Sequence, residues 1–340
     1  MRWQQPEAAS RESAPSVEQL VNARHRKPSS RPGTSLSSRL EAPSRRYGEM
    51  AIQGVLASCA AISIVTTTAI IISLLGPSLS FFGEVPIDDF LFGTEWSPAL
   101  LPQKFGVLPI VVGTLSVTLW GLLFAVPIGL LSAIYLSEYA PPRVRKVIKP
   151  MLEVLAGIPT VAIGFFAFSF ITPALQDLWP GFLGEEPNIF NALAAALAVG
   201  LLIVPIIASI SEDAMSSVPA GLRDGAYALG ANRMRVALRV VFPAALSGIV
   251  ASIVLGVSRA VGETMVVLMA AGATPNLTFN PVESIEAMTA YIAITGTGDI
   301  ATGTLEYDTI FAVGLVLFVI TLAMNLVSIR LVRRYREVYE

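Results

Sequence analysis

Leu193-Ala194-Ala195-Ala196-Leu197-Ala198-Val199-Gly200-Leu201-Leu202-Ile203-Val204-Pro205-Ile206-Ile207-Ala208 is an uninterrupted run without one charge, and the apolar stretch around it extends over about 189–211. A strand does not need that length, and a surface helix would carry a polar stripe. About 20 apolar residues rising ~1.5 Å each instead match the ~30 Å hydrocarbon core of a bilayer. Similar runs lie at about 50–76, 107–137, 151–173, 246–272 and 307–331, so the sequence predicts six transmembrane helices. None of them alternates with period two. Lipid offers the backbone no hydrogen-bond partners, and helices are then the remaining solution. The fold class expected is an all-α polytopic membrane protein.

Composition agrees. Of 340 residues, 54% are hydrophobic and 14% charged, against roughly 25% charged in soluble domains, which excludes an ordinary cytosolic enzyme. The single cysteine, Cys59, and the single histidine, His25, exclude a disulfide framework or a His/Cys metal centre within one chain. Residues 1–48 are rich in Pro, Ser and Arg without an apolar period, and are expected to be a flexible tail ahead of a transmembrane domain over 49–340. The first apolar run begins near Met50, too far along for a usual signal peptide, and is expected to stay in the membrane.

Charge gives the orientation. Of 23 Lys and Arg, 21 fall in the tail, in 138–150, in 212–245 and from Arg330 onward; the other three loops hold only Lys104, and Arg259 lies inside the fifth run. The positive-inside rule places both termini in the cytoplasm. Twelve acidic residues fall on the outer side, leaving it at net −11 against +9 inside, so surface charge does not draw an anion from outside. Helix breakers interrupt several runs: Pro109, Pro127, Gly157, Pro159 and Pro205. They serve either plain kinking or the water-lined cavities of transport proteins.

The connection 212–245 is too long and too patterned for a simple link. Pro219 suits a first helical turn, Asp224 sits near the positive end, Leu222, Ala226 and Leu229 share a face, and Gly230 can end the helix. A second short helix is expected over Asn232–Val241 with Arg233, Arg235 and Arg239, either lying on anionic lipid or docking a partner. Asp224-Gly225-Ala226, Gly230, Val240 and Phe242-Pro243 resemble the EAA motif that marks the cytoplasmic coupling helix of permease subunits in ABC importers. Asp stands for Glu, Gly for Ala, and Val and Phe for Ile and Leu.

The likeness extends to Gly113-Thr114-Leu115, Leu136-Ser137-Glu138-Tyr139-Ala140-Pro141, Ala156-Gly157-Ile158-Pro159-Thr160 and Arg259-Ala260-Val261-Gly262-Glu263-Thr264-Met265. These resemble the phosphate-specific transporter (Pst) permeases. The Gly-Glu-Thr-Met form and Phe105-Gly106-Val107-Leu108-Pro109 favour the PstC type. The resemblance covers residue 50 to the C-terminus. It implies a type I (MetI-like) importer fold, a sister permease of PstA type, an ATPase dimer of PstB type, an external phosphate-binding protein of PstS type, and inorganic phosphate as substrate. The coupling residues it implies are Asp224, Gly225, Ala226, Leu229, Gly230 and Pro243.

Arg259 and Glu263 are the charges deep inside the runs, away from their ends, and they stand one helical turn apart. A central Arg costs about 2.5–3.5 kcal/mol on insertion scales. The pair is either a structural ion pair or an anion station, since the planar guanidinium fork matches an oxyanion and the carboxylate neutralises it when empty. Ser258 and Thr264 lie beside the pair, and Thr114 and Thr118 on the second run are either supporting donors or hydroxyls bonded back to their own helix. Asn325 and Thr321 fit helix contacts. In phosphate permeases the matching Arg and Glu are implicated in translocation.

No Gly-x-x-x-x-Gly-Lys-Ser/Thr motif occurs, so ATP hydrolysis is expected in another chain, and no cofactor or nucleic-acid partner is expected, membrane lipid being the surrounding partner. A bacterial cytoplasmic membrane location follows from the resemblance. Rival readings are a permease for phosphonate, sulfate or molybdate, and an ion-coupled secondary transporter, which would not need 212–245. An intramembrane enzyme would need a nucleophile and base in the spans, and none is visible.

Overall fold

The computed structural model describes residues 47–334. The expected tail lies outside the described residues as far as position 46. Among the described residues, those as far as Val65 and those from Thr66 to Arg334 belong to two units. Helix α1, Tyr47–Glu84, holds no charge between Met50 and Phe82, and its segment 48–65 is exposed throughout.

In the second unit, the far end of α1 meets helix α2, Ile87–Phe92, in an aromatic cluster. Phe81 sits edge-on to Phe90 at 5.3 Å and to Phe105 at 5.5 Å. A two-residue antiparallel ladder, β1 Trp96–Ser97 with β2 Lys104–Phe105, closes this loop and pairs Trp96 with Phe105. It is the one departure from all-helical structure among the described residues.

Helix α3, Leu108–Ile134, runs on through a π-helical turn at Tyr135–Tyr139. Helix α4, Pro142–Ala156, is amphipathic and buries none of its residues. The third crossing therefore starts later than the apolar run at 151–173 suggests. It comprises α5, Thr160–Phe166, a π turn at Ala167–Ile171, and α6, Thr172–Leu178. The reason is local: Pro159 has no N–H and disfavours helix at Ile158, so Gly157-Ile158-Pro159 separates an amphipathic helix from a membrane one.

Helix α7, Ala192–Ser216, is the hub. Asn191 caps it, Oδ1 accepting from Ala194 N at 2.7 Å. Ala195, Val199, Leu202, Ile203 and Ile207 are buried in the main core with Val117, Ala125, Ile163, Val266 and Ala270. Small residues permit the close approach, since lipid provides no hydrophobic drive and packing must hold the helices.

The coupling segment folds as helix α8, Ala220–Ala228, then α9, Arg233–Val236, a π turn at Ala237–Val241 and α10, Phe242–Ala244. Gly230 takes φ +81°, a conformation that ends a helix and suits glycine. Asn232 caps α9, accepting from Arg235 N at 2.9 Å.

Helix α11, Leu246–Val261, follows after a 73° bend. The run at 246–272 reads as one span, but the helix stops at Val261 and resumes as α12, Met265–Ala271. Helix α13, Met288–Thr297, and α14, Leu305–Arg334, complete the chain. Five helices among the described residues are long and apolar enough to cross a bilayer, and the bent Arg233–Val261 pair makes a sixth.

Candidate functional site

The break between α11 and α12 holds the charged pair. Arg259 occupies the last turn of α11, and its Nη1 donates to Glu263 Oε2 at 2.8 Å. Glu263 lies just past the helix end, beyond Gly262, so the turn rather than a continuous helical face brings the two together. The break uses the carboxylate twice, because Glu263 Oε1 also accepts from Val266 N at 3.4 Å in the first turn of α12. From the other side, Thr289 Oγ1 on α13 donates to the Glu263 carbonyl at 2.7 Å. The broken backbone is thus partnered by buried side chains, the condition under which irregular backbone survives in a membrane.

Exposure within the pair is unequal. The Glu263 side chain is 3% exposed and the Arg259 side chain 41%. One of five guanidinium N–H groups holds the carboxylate, and the outward fork can take an oxyanion bidentately. Ser258 and Thr264 are partly exposed beside it; Ser258 Oγ donates to Asn325 Oδ1 on α14 at 3.4 Å and Thr264 Oγ1 to the Gly262 carbonyl at 3.4 Å.

Among the described residues, neither Thr114 nor Thr118 hydrogen-bonds Arg259 or Glu263. Both threonines are buried. Thr114 Oγ1 donates to the Ile110 carbonyl at 2.8 Å and accepts from Met288 N at 2.9 Å, while Thr118 Oγ1 donates to the Thr114 carbonyl at 2.8 Å. Their hydroxyls serve helix packing. Gly113 explains the closeness: a Cβ there would stand 2.2 Å from the Glu286 carbonyl oxygen, so α3 and the chain before α13 touch backbone to backbone.

Asp224, Gly225, Leu229, Gly230 and Pro243 are exposed, and Ala226 packs against the buried Val236, Val241 and Ala245 cluster. Leu229 is 90% exposed and Leu222 and Tyr227 lie open on the same segment. Apolar side chains on a helix that buries none of its own residues point to a protein partner.

Three buried acids had no role assigned from the sequence, Glu138 being quoted there only as part of a motif. Glu212 in α7 is 1% exposed and takes Arg145 and Lys149 from α4. Burial opposes the charge of Lys149, but the Asp213 and Glu212 carboxylates outweigh it and hold its pKa above the usual lysine value. Glu138 is buried at the end of α3 against Arg223. Glu286, in the chain before α13, is 6% exposed, and burial pushes its carboxyl up to about 7. Its one sequence signal is an acid set between Ile285 and Ala287-Met288.

The sequence model of the family described as "Binding-protein-dependent transport system inner membrane component" matches residues 125–337. The chain belongs to this family. It is 35% identical over 296 residues to the probable ABC transporter permease protein YqgH of Bacillus subtilis, covering 86% of this chain and 94% of that one. It is 33% identical over 284 residues to the phosphate transport system permease protein PstC of Mesorhizobium japonicum, covering 78% and 84%. A solved structure of a bacterial ABC transporter involved in the import of alginate matches with TM-score 0.60 at 17% identity, over 86% of this chain and all of that one, a likeness of fold. This inner membrane component is a non-catalytic, all-α, multi-pass permease subunit; with a partner permease it forms the translocation path of an ABC importer, driven by an ATPase partner.

Proposed function

We propose that this subunit carries inorganic phosphate into the cytoplasm, with a PstA-type sister permease, a PstB-type ATPase dimer and an external PstS-type binding protein. The observation that supports the reading most is the asymmetry at the helix break, a buried Glu263 holding an open Arg259 fork. An arginine neutralised by one carboxylate binds a tetrahedral oxyanion reversibly, because ligand and Glu263 compete for the same positive charge. Ser258 and Thr264 add hydroxyl donors at the rim. Relatives named phosphate transport system permease protein support the choice of phosphate among oxyanions.

Helix α8 is the docking helix for the ATPase. Its support is the exposed Leu222, Tyr227 and Leu229 beside the motif residues, and the Lys and Arg excess of this side, which by the positive-inside rule favours the cytoplasm. Uptake of radiolabelled phosphate by the assembled importer in proteoliposomes, with sulfate, molybdate and phosphonate as competitors, tests the substrate. Uptake resistant to all three supports phosphate, and stronger uptake of any competitor replaces it.

A further inference from the structure

Arg223 is the one basic residue of α8, and its guanidinium is fixed by four N–H···O bonds. Nε and Nη2 donate to Glu138 Oε1 at 3.1 and 3.0 Å; Nη1 donates to the Val218 carbonyl at 2.6 Å and Nη2 to the Met215 carbonyl at 2.8 Å. Met215 and Val218 stand at the C-terminal end of α7, where helix carbonyls lack internal partners and a cation is favoured. Glu138 stands in the π turn that ends α3. One side chain on the coupling segment thus grips the ends of two membrane helices.

A second contact repeats the arrangement next door. The Arg233 guanidinium of α9 lies 5.4 Å above the ring of Tyr139, the residue after Glu138. Upstream, α7 carries α11 on close contacts: Ser211 Oγ and Ser252 Oγ are 2.7 Å apart, and a Cβ on Gly256 would lie 2.8 Å from Ile203 Cγ2. Helix α11 ends in the turn bearing Arg259. Tightly packed helices move as bodies and do not deform continuously.

We propose that Arg223 and Glu138 form the joint through which movement of α8 reaches α3 and α7, and through α7 the Arg259 break; they are positioning residues for translocation and not part of the docking surface. The inference rests on α8 being the docking helix. An arginine with four bonds to three acceptors resists rotation as well as pulling, and a lysine ammonium at the same place keeps the charge without the planar fork. Glu138 is buried, so a bond lost there costs more than one lost in water.

The test uses the complete importer, carrying Cys59→Ala and a reporter cysteine at the exposed Leu255 of α11, labelled with a maleimide with and without ATP and vanadate. In the otherwise unchanged chain the nucleotide should change the labelling rate several-fold. In Arg223→Lys and in Glu138→Gln, which alters charge and not size, the ATPase should co-purify and hydrolyse ATP while the nucleotide response of Leu255→Cys is lost. A full response in both variants overturns the joint, as does absence of a response in the parent. Failure of both variants to assemble also overturns it, because the pair is then a structural staple. Failure of the docking reading looks different: the ATPase would still co-purify with a chain lacking 222–230.

Discussion

Arg259 Nη1 and Glu263 Oε2 are 2.8 Å apart across a helix end, with the carboxylate buried and the guanidinium open. An isolated structural ion pair in a membrane would be expected to hide both charges, because each unpaired donor left in lipid is costly. Here the acid is held by the turn of its own backbone and the base is presented outward.

Thr114 gives the plainest test of the packing around the break. Replacing it with Val removes the oxygen that accepts from Met288 N and leaves a buried N–H without a partner, at a cost of about 1–3 kcal/mol. Thr114→Ser keeps that oxygen. The expected outcome is a lower melting temperature in detergent for Thr114→Val alone, with phosphate affinity unchanged in Thr114→Ser. Weakened phosphate binding in a fully stable Thr114→Ser subunit would return this residue to the substrate path.

Glu286 should make stability pH-dependent. Burial raises its carboxyl from the ordinary 4.5 to about 7. An acid raised in the folded state is neutral in both states below about pH 4.5 and costs nothing there. As pH climbs towards 7 and beyond, folding must bury an increasing charge, so stability falls through that window by on the order of 3 kcal/mol and then levels. Tyr291 is the neighbouring titratable group. Glu286→Gln should flatten the melting temperature between pH 5 and pH 8 and raise it at pH 8. An unchanged pH profile would contradict the buried-carboxyl explanation.

On α8, Gly225 stands where a Cβ would meet open space. Gly225→Ala should stabilise the helix by up to about 1 kcal/mol with ATPase binding kept. Gly230→Trp should do the opposite, since φ +81° disfavours a side chain by about 1–2 kcal/mol and the bulk stands at the docking surface. Equal ATPase co-purification with both variants would count against docking at this turn.

Much of the fold was legible because lipid imposes a simple rule. The uncharged run at 192–208 and the Lys and Arg segregation leave little choice of architecture. The Gly230 stop was legible because it is a local backbone requirement met by one residue type. What escaped was cooperative. Composition alone does not separate Met151–Ala156 from Thr160 onward, because α4 owes its place to contacts of Arg145 and Lys149 with Glu212, 63 or more residues away. The stop at Val261 depends on Thr289 and Val266 finding Glu263. Arg223 and Glu138 were invisible as a pair, since 85 residues separate them. Thr114 and Thr118 read from the sequence either as supporting donors or as hydroxyls bonded back to their own helix, and the structure has the second arrangement.

Orientation is tested by single cysteines in a Cys59→Ala background. Positions Lys104 and Asp299 should label from outside intact cells, and Lys146 and Arg334 only after permeabilisation. Reversal at any one of them would remove a crossing.

The most direct measurement of the central claim is phosphate uptake by the assembled importer carrying Arg259→Leu together with Glu263→Met. The two changes remove both charges at once, so no unpaired charge is left in the membrane and assembly should survive. If Arg259 is the anion ligand, uptake by that complex should fall at least a hundredfold, and Arg259→Lys, which keeps the charge and loses the fork, should fall steeply as well. Near-normal phosphate uptake by the assembled double variant would show that the pair holds helices and does not carry substrate.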